Sequence, residues 1–220
     1  LPQLLVRDLG QREYLTALSY QQELLKKRQE KRLEDVLLLV EHPHVFTLGP
    51  GGKEKNLLAP GDVPVQRTSR GGDVTYHGPG QLVIYPVVDL KSKLRKDVHA
   101  YLYKLEQTLI ETLKAFGLRA GRRPACTGVW MGIRKIAAIG IAVRRGIAFH
   151  GAALNINPDL TYFERIVPCG LSWAQVTSMK RELGEEIDPA SVKRELVRCF
   201  AKRFGYTEIH ETCREDTPTG

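Results

Sequence analysis

No stretch of the 220-residue sequence approaches twenty consecutive apolar residues, so a membrane-spanning helix is not expected. The start, LPQLLVRDLGQREY, lacks a basic segment followed by an apolar run, so a secretory signal is not expected either. Cysteine is scarce: Cys126, Cys169, Cys199 and Cys213 show no paired spacing. That argues for free thiols in a reducing compartment: the cytoplasm, or an organelle matrix if the Met-less start is a processed terminus. Internal repeats and low-complexity tracts are missing. There is no zinc-finger spacing, aromatic RNA-binding pattern or basic heptad region, so nothing beyond charge points to nucleic acid. What remains is ordinary globular composition, 42% hydrophobic and 26% charged, which excludes a fibre or a disordered chain. A chain of this length buries roughly 70% of its unfolded surface and needs no disulfide or metal staple.

The net charge is +8, and one segment supplies it. Residues 91–150 carry 13 Lys/Arg against 3 Asp/Glu, while the rest of the chain carries 20 against 22. Such a field speeds the arrival of an acidic partner and fades with salt. A solvated basic face is the plainer reading.

Periodicity places the elements. Residues 11–33 read as a helix with Tyr14, Leu18 and Leu25 on one face and a polar KKRQEKR tail. Val36–Val40 (VLLLV) and Leu82–Val88 read as buried strands. Residues 49–64 read as a loop, with GPGG and two further prolines. In 97–116, Val98, Tyr101, Leu102, Leu105, Leu109, Leu113 and Phe116 recur at helical spacing before Gly117. GVWM, KIAAIGIAV and IAFHGAALNI, joined by tight turns, read as antiparallel hairpins. The last helix opens at Asp188-Pro189 and closes at Gly205. Without a regular βαβ alternation the fold class is α+β, with mixed or antiparallel sheets and packed helices. One domain, 1–220, is expected, with 180–220 as a candidate small helical appendage.

Four places carry candidate chemistry. Arg70, Gly71, Gly72, Asp73, Val74, Thr75, Tyr76 and His77 run into Gly-Pro-Gly-Gln81, a stretch dense in glycine and polar groups. Glycines let backbone approach a ligand and turn N–H groups towards it; a plain turn between strands is the competing reading. His150-Gly151-Ala152-Ala153 repeats the His-Gly pairing, where a lone His is more often a satisfied core residue. Lys135 opens a strand of Ile, Ala, Gly and Val. Such a Lys usually snorkels to solvent, but one held in a dry cleft becomes an acid/base candidate. Ala138, Gly140 and Ala142 share one face of that strand, opposite Ala137, Ile139 and Ile141. A closely packed helix or a bound group would each explain a face of small residues. Cys169 sits in Pro168-Cys169-Gly170, a rigid non-helical setting that allows a nucleophile without requiring one. Cys199 lies on an apolar helix face and reads as inert core. His42 and His44 have no Cys or carboxylate at ligand spacing, so no metal is expected.

Taken in order, EHPHVFTLG, RGGDVTYHGPGQLVIYP, KIAAIG, FHGAALNI and FERIVPCG closely resemble the octanoyltransferases of lipoate biosynthesis. The resemblance covers about residues 36–179. It implies a biotin/lipoate ligase-like catalytic domain, one whose fold is shared with ATP-dependent lipoate and biotin ligases. It also implies transfer of an octanoyl (or lipoyl) group from acyl carrier protein to a lysine of lipoyl domains, those of 2-oxoacid dehydrogenases and the glycine cleavage H protein, without cofactor, nucleic acid or membrane. By the same resemblance Cys169 matches the acyl-thioester nucleophile, and Lys135 the lysine that lowers the Cys pKa. Arg70–His77, Ala138–Ile139–Gly140, His150 and Gly151–Ala152–Ala153 match substrate-contacting segments. An ATP-dependent lipoate or biotin protein ligase is the alternative. An octanoyl chain needs an apolar slot: at about 0.8 kcal/mol per methylene, burying six gives roughly 5 kcal/mol.

Overall fold

The structure is a computed structural model that describes residues 2–171 and 173–212, with Cys169 described by its backbone alone. Ser172 and Cys213, and the rest of 213–220, lie outside the described residues.

A nine-stranded mixed sheet forms the centre. The chain opens with β1 (Gln3–Gln11), crosses through α1 (Tyr14–Gln29) and returns as β2 (Asp35–Glu41). β1 and β2 are parallel, and parallel neighbours need a crossover, which α1 provides. The helical pattern read from residue 11 thus starts three residues later, because the preceding segment is a strand. Ala17, Tyr20, Gln21, Leu24 and Leu25 join Tyr14 on its buried face, and Leu18 is only half-buried.

After β2 the chain leaves the main sheet. It forms β3 (Val45–Leu48), β4 (Val65–Arg67) and β5 (Val74–His77), a separate small sheet in the order β4-β3-β5. It rejoins the main sheet as β6 (Gln81–Asp89), continues into α2 (Leu90–Leu94) and α3 (Val98–Ala115), and then forms β7 (Gly121–Arg123), β8 (Cys126–Met131), β9 (Arg134–Arg144) and β10 (Ile147–Asn155). A turn at Pro168–Gly170 follows, then β11 (Gln175–Val176), α4 (Met179–Leu183), α5 (Pro189–Phe204) and β12 (Glu208–Thr212). The main sheet runs β12-β1-β2-β6-β10-β9-β8-β7, and β11 pairs with β9 beside this path.

The VLLLV run is unbroken because both faces of β2 are covered. Val36, Leu38 and Val40 pack with Val83, Tyr85 and Val87 beneath α1. Leu37 and Leu39 pack with Leu82 and Ile84 beneath α3 and α5, where Tyr101, Leu105, Leu109, Leu196 and Phe200 are all fully buried. The C-terminal residues share that core: Val192, Leu196, Phe200, Phe204 and Tyr206 pack with α3, and β12 adds to β1 in parallel register. Asp188 caps α5 by accepting from Ala190 N and Ser191 N, ahead of Pro189. No helix of the described residues is long and apolar enough to cross a membrane.

A narrow cleft between the two sheets

The small sheet stands over the α1 face of the main sheet and leaves a cleft of about 470 Å³, counted to its open mouth. The floor is laid by strand register. Ala138 of β9 pairs with Ala153 of β10, which pairs with Val83 of β6; Gly140 pairs with Gly151. All five line the cleft, and small side chains across three neighbouring strands keep the floor low.

The wall is the glycine-rich stretch. Gly71 N donates to Ile141 O at 2.8 Å, pinning the loop along β9. A Cβ at Gly140 would stand 2.7 Å from Gly71 O, so the Ala/Gly face of β9 admits this loop rather than a helix. Arg70 is buried and its guanidinium grips β3, donating to Thr47 O at 2.7 Å and to Thr47 Oγ1 at 2.8 Å. Of the residues named from sequence, Arg70 to Asp73, Thr75, His77, Ala138 to Gly140 and His150 to Ala153 line the cleft. The structure does not bring Val74 and Tyr76 there. Alternation along β5 turns them into the small sheet's own core with Phe46, Leu48 and Phe163. Tyr14, Val83 and Tyr85 line the cleft as well. Their positions followed hydrophobic periodicity, which gave no sign of a site.

Backbone carbonyls fix the ring of His77. Gln81 Nε2 donates to Tyr76 O and to Asn155 Oδ1, and Asn155 Nδ2 donates to Thr177 O. Gln81 therefore offers Oε1 to His77, so His77 Nδ1 carries the proton at 2.7 Å and Nε2 is left as an acceptor. The same logic orders His42. Its Nδ1 donates to Arg12 O at 2.7 Å, so its Nε2 accepts from Tyr85 Oη at 2.9 Å. His44 instead stacks on Tyr162 and hydrogen-bonds Tyr76 Oη. Among the described residues no three His, Cys, Asp or Glu side chains gather as metal ligands.

His150 has a left-handed backbone, φ 57°. Its N–H donates to Gln21 Oε1 and its Nε2 lies 3.0 Å from Ser69 Oγ. Burial depresses three histidines, to about 4 in His42, about 3 in His77 and about 4 in His150. The Arg70 charge adds to the effect in His77 and His150. In the unfolded chain each titrates near 6.5. Below that pH the unfolded chain takes up protons that the folded chain refuses, so stability present in full above about 6.5 is lost as pH falls towards 4. We expect Tm to fall between pH 6.5 and 5, above the carboxylate range, and the slope to shallow in His42→Gln. A Tm flat over that interval would contradict this burial.

Lys135 lies outside the cleft lining, three residues before Ala138 on β9, and is only 6% exposed. Its amine stands 4.9 Å from the centre of the Trp130 ring. Its stem crosses Gly128: a Cβ there would stand 2.9 Å from Lys135 Cε and 2.7 Å from Ala137 O. The chain after Cys169 runs alongside Lys135. Val176 is its register partner on β11, and Thr177 N donates to Lys135 O at 3.0 Å. The Cys169 turn itself rests on the glycine-rich loop. A Cβ at Gly170 would stand 2.7 Å from Asp73 Oδ2, and Val167 N donates to Asn56 O at 2.7 Å. Asp73 braces that contact, accepting from Asn56 Nδ2, Lys53 N and Val74 N. The Cys169 side chain lies outside what the structure describes.

Comparison with known proteins bears on this arrangement. Residues 13–201 match the lipoyl protein ligase A/B catalytic domain. An octanoyltransferase of Solibacter usitatus (strain Ellin6076) is 49% identical over 208 residues, covering 91% of this chain and 93% of that protein. An octanoyltransferase of Xanthomonas campestris pv. campestris (strain B100) is 48% identical over 200 residues, covering 91% and 85%. Among solved structures, lipoate-protein ligase A bound with ATP superposes with a TM-score of 0.80 at 16% identity, over 98% of this chain and 90% of that one. At that identity the likeness speaks to fold alone, and it agrees with the α+β class and mixed sheets expected from sequence. The chain thus belongs to the lipoyl protein ligase A/B catalytic-domain family and, within it, to the octanoyltransferases, acyltransferases of lipoate biosynthesis.

Proposed function

We propose that the octanoyl group moves from the thioester of acyl carrier protein to a lysine of a lipoyl domain by way of Cys169, with Lys135 as the acid and base. The observation that carries this reading is the register of the chain. The segment leaving the Cys169 turn pairs with Lys135 through Val176 and Thr177, and the turn itself rests on the loop that walls the cleft.

The chemistry follows from a thioester donor. In the first half-reaction the Cys169 thiolate attacks the donor carbonyl, and the bond to the phosphopantetheine sulfur breaks. One thioester replaces another at nearly equal energy, so no nucleotide is needed. A free thiol titrates near 8.5, and a neighbouring ammonium raises its thiolate fraction at neutral pH. The Lys135 ammonium then protonates the leaving sulfur. In the second half-reaction the acceptor amine, normally protonated up to about 10.4, must lose a proton to attack. Neutral Lys135 takes it, and the Cys169 sulfur departs. The low floor of Ala138, Gly140, Gly151 and Ala153 holds the acyl chain, and the basic excess in 91–150 draws the acidic carrier and acceptor.

A ligase of the same fold would first build an acyl-adenylate. The discriminating assay supplies octanoyl-acyl carrier protein and an apo lipoyl domain without nucleotide. Octanoylated domain should accumulate. Dependence on ATP with release of pyrophosphate would replace this reading with the ligase one.

A further inference from the structure

Both tryptophans of the chain join in a single stack, with Lys135 at the Trp130 end. Trp173 follows the Cys169 turn and lies against Trp130, centroids 5.6 Å apart at 20°. On Trp173 rides Arg123, its guanidinium carbon 4.4 Å from the ring centre. On Trp130 sits the Lys135 amine, 4.9 Å from the ring centre. Those three links leave the Arg123 guanidinium no more than about 15 Å from the amine.

Arg122 and Arg123 are consecutive on β7, yet they are used differently. Arg122 is saturated: it binds Glu106, Gln107 and Tyr103 O, and covers the Tyr103 ring. Arg123 carries no ion pair or side-chain hydrogen bond among the described residues; its one contact of this kind is the Trp173 ring. That ring is 44% exposed. A guanidinium over an aromatic face keeps N–H groups available to a further partner, and the guanidinium fork matches phosphate oxygens. This cation, with no ion pair among the described residues and one aromatic pair away from the proposed acid/base, can take an anion on the substrate.

We propose that Arg123, held by Trp173, binds the phosphodiester of the donor's phosphopantetheine arm. This rests on the thioester-donor reading above. About thirteen bonds separate the arm's sulfur from its phosphorus. At the 3.3–3.6 Å that three backbone bonds span when extended, this is about 15 Å, which allows the sulfur to reach the Lys135 end while the phosphate meets Arg123. The pairing would orient the arm along the aromatic stack and leave the acyl chain to the cleft.

Three octanoyl donors separate the possibilities: octanoyl-acyl carrier protein, octanoyl-phosphopantetheine, and octanoyl-pantetheine, which lacks the phosphate. Arg123→Ala should raise KM about tenfold for the first two and leave kcat unchanged. With octanoyl-pantetheine the variant should match the wild type, which also shows that it folds. Arg122→Ala, which removes a guanidinium already held by Glu106 and Gln107, should leave both small donors unchanged. Equal losses on all three donors would assign Arg123 a structural role instead. A loss confined to the intact carrier would place the contact on the carrier's acidic surface. Either result, or no change at all, overturns the assignment. Wild-type protein that forms no acyl-enzyme from any of the three would remove the donor reading and this assignment with it.

Discussion

Lys135→Ala should cut turnover by about 10²–10⁴, the usual worth of a positioned acid and base. It should also move the alkylation of Cys169 to higher pH. Both effects follow from the proposed placing of the Lys135 amine beside the Cys169 sulfur. Without the ammonium the thiolate loses its stabilising charge, and without the neutral amine the acceptor lysine keeps its proton. Lys135→Arg separates the two duties. A guanidinium supplies the charge but is never deprotonated at neutral pH. That variant should form the acyl-enzyme and then stall before transfer to the lipoyl domain. The substitution meets a tight neighbour, since the stem already lies against Gly128, so each variant should be checked for an unchanged melting temperature. An alkylation profile for Cys169 that is the same in Lys135→Ala and wild type would take Lys135 out of its role.

Cys169→Ala should abolish transfer altogether, because the proposed route leaves no other group to receive the octanoyl chain. The contrast is Cys199. It is buried on α5 among apolar neighbours, and burial together with its hydrogen bond to Glu195 pushes its thiol up to about 11. At neutral pH it holds almost no thiolate, so Cys199→Ala should leave the rate intact and cost at most about 1–2 kcal/mol of stability. Octanoyl transfer that persists in Cys169→Ala and vanishes in Cys199→Ala would reverse the assignment.

Much of the site is legible in the sequence alone, for identifiable reasons. Glycine clusters and His-Gly pairs stand out because core packing rarely asks for them, and most of those residues do line one cleft. The long helices declared themselves by period and cap, as Asp188-Pro189 did for α5. Two kinds of feature were not readable. Short strands such as β3, β4 and β5 have too few residues to show alternation, so the three-stranded sheet on either side of the 49–64 loop gave no signal, and with it the reason that Val74 and Tyr76 turn away was missing. Tertiary pairing was the other. Nothing in the linear order says that Tyr14 closes over the cleft, that two tryptophans 43 positions apart stack on each other, or that β12 returns to the first strand. Such contacts depend on where long connections land, and local preference does not encode that.

The sulfur of Cys169 is proposed to carry the acyl chain, and the protein's mass records whether it does. Intact protein should be mixed with octanoyl-acyl carrier protein, quenched in acid without an acceptor, weighed by mass spectrometry and mapped by peptide digestion. A gain of one octanoyl group, located on the peptide containing Pro168-Cys169-Gly170 and discharged when an apo lipoyl domain is added, is the predicted result. An unmodified Cys169 peptide in a preparation that transfers octanoyl groups at full rate would contradict it.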